Sequence, residues 1–387
     1  MRVLVFSPYY PPHIGGLESH SEEFNRHLSK TGVEVLVFTP RLPIESPEEE
    51  IRDGVRIIRF PAFEIISNYP LPKYWPFFWI PEFWRSFRSL WKYQPDIVIS
   101  RTRFFSTSLL ALIYARLRGI RLIHIEHGSD FVQLSSPFKT LLARLYDHTF
   151  GRIIFRCSDL NISISEAVRQ FIKKFDQRTS PVIYRGLNFD ELDQSPENVS
   201  LRQEHPEKII IATAARLYKW KGIENTIEAI RSLPEDTQSK IIFFIIGDGE
   251  DFDRLQKLSS GLPIQMLGKL ERTDVIGILK ASDIYIHSSL PGGGLSTSLL
   301  EAMYCQCAII ATPDEGADEI IKNTHNGLLI EKSSPKLLYE ALSQLIENQT
   351  TINRLSRQAV QDVRARFNWN KSIEQYKEIF DQIQHDA

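Results

Sequence analysis

Short apolar runs recur along the chain, and stretches with helical spacing separate them. Val3–Phe6 reads as a buried strand, Leu17–Ser29 as a helix and Val33–Thr39 as the next strand. Val55–Phe60, Asp96–Ser100, Leu122–Glu126 and Leu160–Ser163 continue the series. These runs are nearly continuous in apolar residues rather than alternating, the pattern of parallel strands covered by helices on both faces. Over 193–207 the pattern fails, and the polar, aperiodic Asp-Gln-Ser-Pro-Glu-Asn reads as a linker. The rhythm then restarts with strands at Ile209–Thr213, Ile241–Ile246, Ile264–Leu267, Ile284–His287 and Ala308–Thr312, and a helix at Ile223–Leu233. The predicted class is α/β, with two Rossmann-like, doubly wound parallel-sheet domains (1–192 and 208–370) facing across a cleft. A polar helix at 371–385 follows, with the first domain as one place for it to dock.

Composition narrows the partners. The 387 residues hold 46 Lys+Arg and 48 Asp+Glu, a formal net charge of -2, which argues against a nucleic-acid binder. Residues 1–190 carry 25 basic and 19 acidic side chains, so the first half is the one more tolerant of anionic surfaces. Cys157, Cys305 and Cys307 are too few for a disulfide framework and fit a reducing compartment. Val3–Phe6 is far shorter than a signal-peptide core, and no run reaches the ~20 apolar residues of a membrane span. The expected location is the cytoplasm, at the inner face of a membrane. That last element comes from 69–93, which carries Trp75, Trp79, Trp84 and Trp91. Within it, Phe83, Trp84, Phe87, Leu90 and Trp91 share one helical face, opposite Arg85, Arg88 and Lys92. Such a helix either lies in a membrane surface or packs on the sheet; both readings stand.

Four segments at strand ends are candidates for chemistry. Gly15 and Gly16 stand between the first strand and its helix, where bare amides can approach a phosphate or sugar, although paired glycines also make simple turns. Arg216 and Lys221, after the strand Ile209–Thr213, supply a planar fork and a point charge suited to a diphosphate. Gly292–Gly294 run through Leu295, Ser296 and Thr297 into a helix, so Gly294, Leu295, Ser296 and Thr297 present amides to an anion, and Glu301 is placed to accept from a ribose diol. His127 follows the strand Leu122–Glu126 and is either a cleft residue or a structural one.

Other matches have simpler explanations. Asp251-Phe-Asp253 fits an Asp-x-Asp metal pattern but opens a helix, where acids cap. Cys305 and Cys307 lack two further ligands for zinc and read as core residues. No Gly-x-Ser-x-Gly elbow and no Gly-x-x-x-x-Gly-Lys loop occurs.

In order and spacing these segments resemble glycosyltransferase family four, the retaining nucleotide-sugar transferases of the GT-B fold. Tyr-Pro-Pro-His-Ile-Gly-Gly-Leu-Glu-Ser-His is similar to the family's N-terminal glycine loop. His127 falls on its donor-sugar histidine, Arg216 and Lys221-Gly222 on its diphosphate clamp, and Glu301-Ala-Met on the second Glu of its paired motif. Asp314-Glu-Gly316-Ala-Asp-Glu319 and Asn326-Gly327-Leu resemble the segments that follow. Two positions depart. Gly293 stands where the first Glu of the pair is expected, and Arg185-Gly186-Leu187-Asn188 replaces the frequent Asn-Gly-Val-Asp turn. The resemblance implies transfer from a UDP- or GDP-linked sugar to a glycan or lipid-linked acceptor, with no metal and no cofactor beyond the nucleotide sugar. His127, Arg216 and Lys221 would be catalytic; Gly15, Gly16, Gly294, Leu295, Ser296, Thr297 and Glu301 would bind donor. A nucleotide-sugar-binding protein without transfer and a nucleotide-sugar epimerase are the alternatives.

Overall fold

The computed structural model describes all residues except Ile14, 65–71, 74–80, 132–136, 291–294, Glu315, 332–333 and 386–387. The chain divides into two compact units, Met1–Gly186 with Trp369–Ala387, and Leu187–Asn368.

The first unit holds a seven-stranded sheet of β1 (Arg2–Phe6), β2 (Glu34–Pro40), β3 (Glu49–Arg52), β4 (Val55–Phe60), β7 (Ile97–Arg101), β8 (Arg121–Glu126) and β9 (Leu160–Ser163). A separate two-stranded ribbon, β5 (Phe63–Glu64) and β6 (Pro72–Lys73), lies between them in sequence. The sheet order is β3-β4-β2-β1-β7-β8-β9, parallel except for β3, which runs antiparallel to β4. Strand order reverses between β1 and β7, so the loops leaving those strands flank a switch point, where open α/β sheets bind ligands. The apolar strand residues face two ways. Val3, Val5, Val35, Val37, Ile97 and Ile99 enter one core layer; Leu4, Phe6, Leu36, Phe38 and Val98 enter the other. That double burial is why the strands show no polar alternation.

The helix Trp369–His385 completes the first unit rather than the second. Trp369, Ile373, Tyr376 and Phe380 are buried with Val3, Phe24 and Leu28. The Trp369 indole donates to Glu23 Oε2 at 3.0 Å, and Arg185 pairs with the same oxygen at 3.0 Å. Gly186 is required here, because a Cβ would fall on the backbone of Trp369.

The second unit holds a six-stranded parallel sheet of β10 (Ile209–Ala214), β11 (Ile241–Ile246), β12 (Ile264–Gly268), β13 (Ile284–His287), β14 (Ala308–Ala311) and β15 (Leu328–Leu329). Its order, β12-β11-β10-β13-β14-β15, reverses between β10 and β13. Residues 193–207, expected as a bare linker, carry the helix Val199–Glu204, and the compact second unit already begins at Leu187. Asn198 accepts from the Leu201 amide at 3.1 Å, so the polar run works as a helix cap, not as a spacer.

The aromatic helix expected within 69–93 spans Pro81–Ser89. Phe83, Phe87 and Leu90 are buried in the core with Phe38 and Phe60, as in a sheet-packing helix, while Trp84 and Trp91 remain exposed. Most of the preceding segment, including Trp75 and Trp79, lies outside the described residues.

Candidate active site

Each unit gathers polar residues at its own switch point. In the second unit, β10 and β13 are parallel neighbours, so the loops at their carboxyl ends lie side by side. The β10 loop carries Arg216, which is exposed, and the turn Lys219–Lys221, which ends at Gly222 in the left-handed region (φ 63). The Lys221 ammonium stands 4.2 Å from the centre of the Trp220 ring. The β13 loop is tied to that turn by two hydrogen bonds. The Leu290 amide donates to the Trp220 carbonyl at 2.7 Å, and Ser288 Oγ donates to the Lys221 carbonyl at 3.1 Å. Leu290, two positions before Gly292, is thereby fastened to the basic turn.

Beyond the run, the helix Thr297–Tyr304 is capped by Ser296, whose hydroxyl accepts from the Leu299 amide at 3.4 Å. Leu295 and Ser296 are buried and Thr297 is half-buried. Gly294, like Gly292 and Gly293, lies outside the described residues. Glu301 is buried on the same helix, and Arg272 Nη1 stands 2.6 Å from its Oε1. Arg272 also reaches Glu191 Oε1 at 2.6 Å. Burial lowers the proton affinity of Arg272, but the two carboxylates outweigh it and hold the guanidinium more firmly charged than usual.

Behind Arg216, the turn Gly247-Asp248-Gly249 braces the loop. The Leu217 amide donates to the Asp248 carbonyl at 2.9 Å, and the Asp251 amide to the Leu217 carbonyl at 3.0 Å. Asp251 itself is bound by Arg254, with Nε at 2.6 Å and Nη2 at 2.8 Å. It therefore makes an ion pair, not the side-chain cap expected of it. Among the described residues no three His, Cys, Asp or Glu side chains assemble as a metal-binding group. Cys305 and Cys307 are buried in the fold, and burial pushes the Cys305 thiol up to about 12.

In the first unit, His127 leaves the end of β8 and its ring meets His20 edge to face at 4.9 Å. His127 Nδ1 lies 3.2 Å from Thr102 Oγ1, and Nε2 lies 3.4 Å from His20 Nδ1. Arg101, wholly buried, points Nη1 at the same His20 nitrogen from 3.1 Å. A guanidinium only donates, so His20 Nδ1 accepts, and His127 in turn is a donor at Nε2 and an acceptor from Thr102. Burial first, then Arg101, lowers the His127 pKa to about 3, and burial with His127 and Arg101 lowers that of His20. Both rings are neutral at pH 7.

The turn that carries His127 is built on Glu126. This fully buried carboxylate accepts from the amides of Arg103 at 3.0 Å, His127 at 2.8 Å and Gly128 at 2.7 Å. Arg103 Nη1 stands 3.3 Å away, and its Nε pairs with buried Asp147 at 3.0 Å. Burial alone would raise the Glu126 pKa, but Arg103, His124 and the Gly128 amide keep it well below the usual carboxylate range.

The glycine pair behaves unevenly. Gly16 has open space around the missing side chain, whereas a Cβ on Gly15 would fall on the Glu18 carboxylate. Glu18 is held there by His13 Nδ1 at 2.6 Å, so its carboxylate fills the space that a side chain at Gly15 would need.

None of Glu126, Arg103, Asp147, His20, Arg101 or Arg272 stands out by motif. The available signal is ionisable residues at the ends of otherwise apolar strands, as with Arg101 after Ile97–Ser100 and Glu126 after Leu122–Ile125.

Two doubly wound units, each with polar loops at its switch point, are the architecture of the GT-B fold. Comparison with known proteins agrees. A model of Glycosyltransferase Family 4 matches residues 14–191, and one of Glycosyl transferases group 1 matches residues 197–362. An uncharacterized glycosyltransferase of Methanocaldococcus jannaschii is 44% identical over 99% of both chains. A Campylobacter jejuni N,N'-diacetylbacillosaminyl-diphospho-undecaprenol alpha-1,3-N-acetylgalactosaminyltransferase is 23% identical over 70% of each chain. Among solved structures, sucrose-phosphate synthase from Thermosynechococcus elongatus superposes with a TM-score of 0.79 at 17% identity, covering 100% of this chain and 99% of that one. Anabaena HepE, solved with UDP-glucose, gives 0.73 at 18% identity, covering 99% and 100%. The chain belongs to glycosyltransferase family four.

Proposed function

We propose that this glycosyltransferase moves a sugar from a UDP- or GDP-linked donor to a hydroxyl of a glycan or lipid-linked acceptor, with retention and without a metal. The observation that carries the reading is the junction of the basic turn at Lys219–Lys221 with the β13 loop, made by the Leu290 amide and the Ser288 hydroxyl. UDP-glucose in the HepE structure and the lipid diphosphate named in the Campylobacter relative support the two substrate classes.

Charge grows on the diphosphate as the anomeric bond breaks. Arg216, Lys221 and the amides of Gly294–Thr297 meet it with fixed donors, which stabilise the transition state more than the ground state. Attack from the face that the diphosphate leaves puts the departing oxygen within reach of the acceptor's proton, so no side chain need be the base. His127, neutral, binds sugar hydroxyls, and Glu301, paired with Arg272, takes the ribose. Gly15 and Gly16 serve the donor through the backbone. Membrane contact through 69–93 would use Trp84 and Trp91.

A panel of UDP- and GDP-sugars, assayed for nucleoside diphosphate release with and without EDTA, tests this. Release from a single donor that survives EDTA supports the reading. Tight donor binding with no release, whatever glycan or lipid acceptor is added, would make the chain a nucleotide-sugar-binding protein.

A further inference from the structure

The helical run Pro137–Cys157 gives the sites described above only the buried Asp147, yet it exposes more large apolar side chains than any other described segment. Phe138, Leu141, Leu142 and Leu145 recur at three- and four-residue spacing, which places them on one face of the helix Pro137–Tyr146. Their exposures are 68%, 63%, 49% and 59%. A core-facing helix turns such a stripe inward. Here the inward side is taken by buried Ala143 and by Tyr146, whose ring packs 5.4 Å from Phe104. A π turn at Asp147–Gly151 follows, and Phe150 and Ile153 extend the apolar surface. The helix Ser106–Arg118, packed against Arg152–Cys157, exposes Ile113 and Leu117. Clustered exposure on this scale marks an interaction surface rather than the scattered apolar residues of an ordinary exterior.

Charge selects the occupant. In 106–118 and 137–157 the only acid is Asp147, and it is buried in its pair with Arg103 at 3.0 Å. Arg116, Arg144, Arg152 and Arg156 are exposed. An apolar stripe with a cationic border and no exposed acid is complementary to anionic headgroups over acyl chains. A second copy related by a twofold axis would instead bring arginines against arginines. Among the described residues no helix is long and apolar enough to cross a membrane, so such a contact lies in the plane of the interface.

We propose that the Pro137–Cys157 face, with Ile113 and Leu117, docks on a bilayer containing anionic phospholipid. The leucines and phenylalanines enter the headgroup–acyl boundary and the arginines meet the phosphates. This assignment does not depend on which donor or acceptor the enzyme uses.

Flotation of the full chain with phosphatidylcholine vesicles, with and without phosphatidylglycerol, tests it. The protein floats with the anionic vesicles and dissociates as salt rises. Leu141→Ser with Leu145→Ser weakens partition by about tenfold per residue, the scale of one buried leucine. Arg144→Glu with Arg152→Glu weakens it by about fivefold per residue on anionic vesicles alone. Circular dichroism and the unfolding midpoint stay at wild-type values, because all four residues are exposed; should the leucine variant misfold, the arginine variant and the lipid dependence still decide. No flotation of the wild-type protein, or equal flotation of the folded variants, overturns the proposal. So does a dimer in light scattering that the leucine variant returns to monomer, since the face would then be covered by a second copy.

Discussion

Arg272 Nη1 stands 2.6 Å from Oε1 of Glu301, the carboxylate assigned to the ribose. Glu301 is buried, so without this partner its charge would be costly. Arg272→Ala should destabilise the protein by about 1–3 kcal/mol, below the scale for a fully buried pair because the arginine is partly exposed. Glu301→Gln in the same background should recover much of that loss. A double-mutant cycle in urea measures the coupling, expected at about 1 kcal/mol or more. A coupling near zero would mean that Glu301 is held by something else.

Arg216→Ala and Lys221→Ala should each lower turnover by about 10²–10³, the scale for removing one transition-state donor, with little change in stability because both lie on a strand-end loop. Steady-state rates with the best donor of the panel decide it. Near-wild-type rates in both variants would remove the basic loop from the mechanism.

Gly247 adopts φ 131, and a Cβ there would fall on the carbonyl of Ala215, in the strand-end loop that carries Arg216. Gly261 also has positive φ (77) but open space around it. Gly247→Ala should therefore cost about 2 kcal/mol or more and lower turnover, whereas Gly261→Ala should cost about 1 kcal/mol and leave turnover alone. Unfolding midpoints and rates of the two variants give the comparison; equal losses would show that the brace behind Arg216 is unimportant.

The neutral histidines predict a pH dependence of stability. His127, at about 3, and His20 bind protons less readily in the folded chain than in the unfolded one, where histidine titrates near 6.5. Their contribution is complete above about pH 6.5 and is lost as pH falls toward 3, because the unfolded chain then takes up more protons. Glu126, also held low when folded, loses its contribution only below the ordinary glutamate value of about 4.3, so the two windows separate. His127→Gln should flatten the urea-midpoint profile between about pH 6.5 and 4.5. The wild-type rate profile should show no limb near 6.5; one that disappears in His127→Gln would establish a titrating, not a neutral, imidazole.

Both sheets were readable from the chain because their strands are buried on two faces and appear as unbroken apolar runs. The two strands of these sheets that escaped have physical excuses. Glu49–Arg52 is a charged edge strand, the usual protection of an open edge, and Leu328–Leu329 is only two residues long. The strand-end loops with Arg216, Lys221 and His127 were legible for the same reason as the sheets. What supports them was not. Glu126 and Arg101 terminate apolar runs and look like strand boundaries, whereas they are buried ends, Glu126 paired with Arg103 and Arg101 turned to His20. Arg272 opens a helix of ordinary composition, and only folding brings it to Glu301.

The return of Trp369–His385 to the first unit has a consequence for how the protein is made. In chain order the second unit is an insertion within the first. A nascent polypeptide that has emerged through Gly186 holds every strand of its sheet but lacks Trp369, Ile373, Tyr376 and Phe380. Those positions stay open to solvent while the whole second unit is translated, although domains ordinarily fold in the order they leave the ribosome. The half synthesised first is therefore the half finished last, and a premature stop near the end of the message would damage the beginning of the protein.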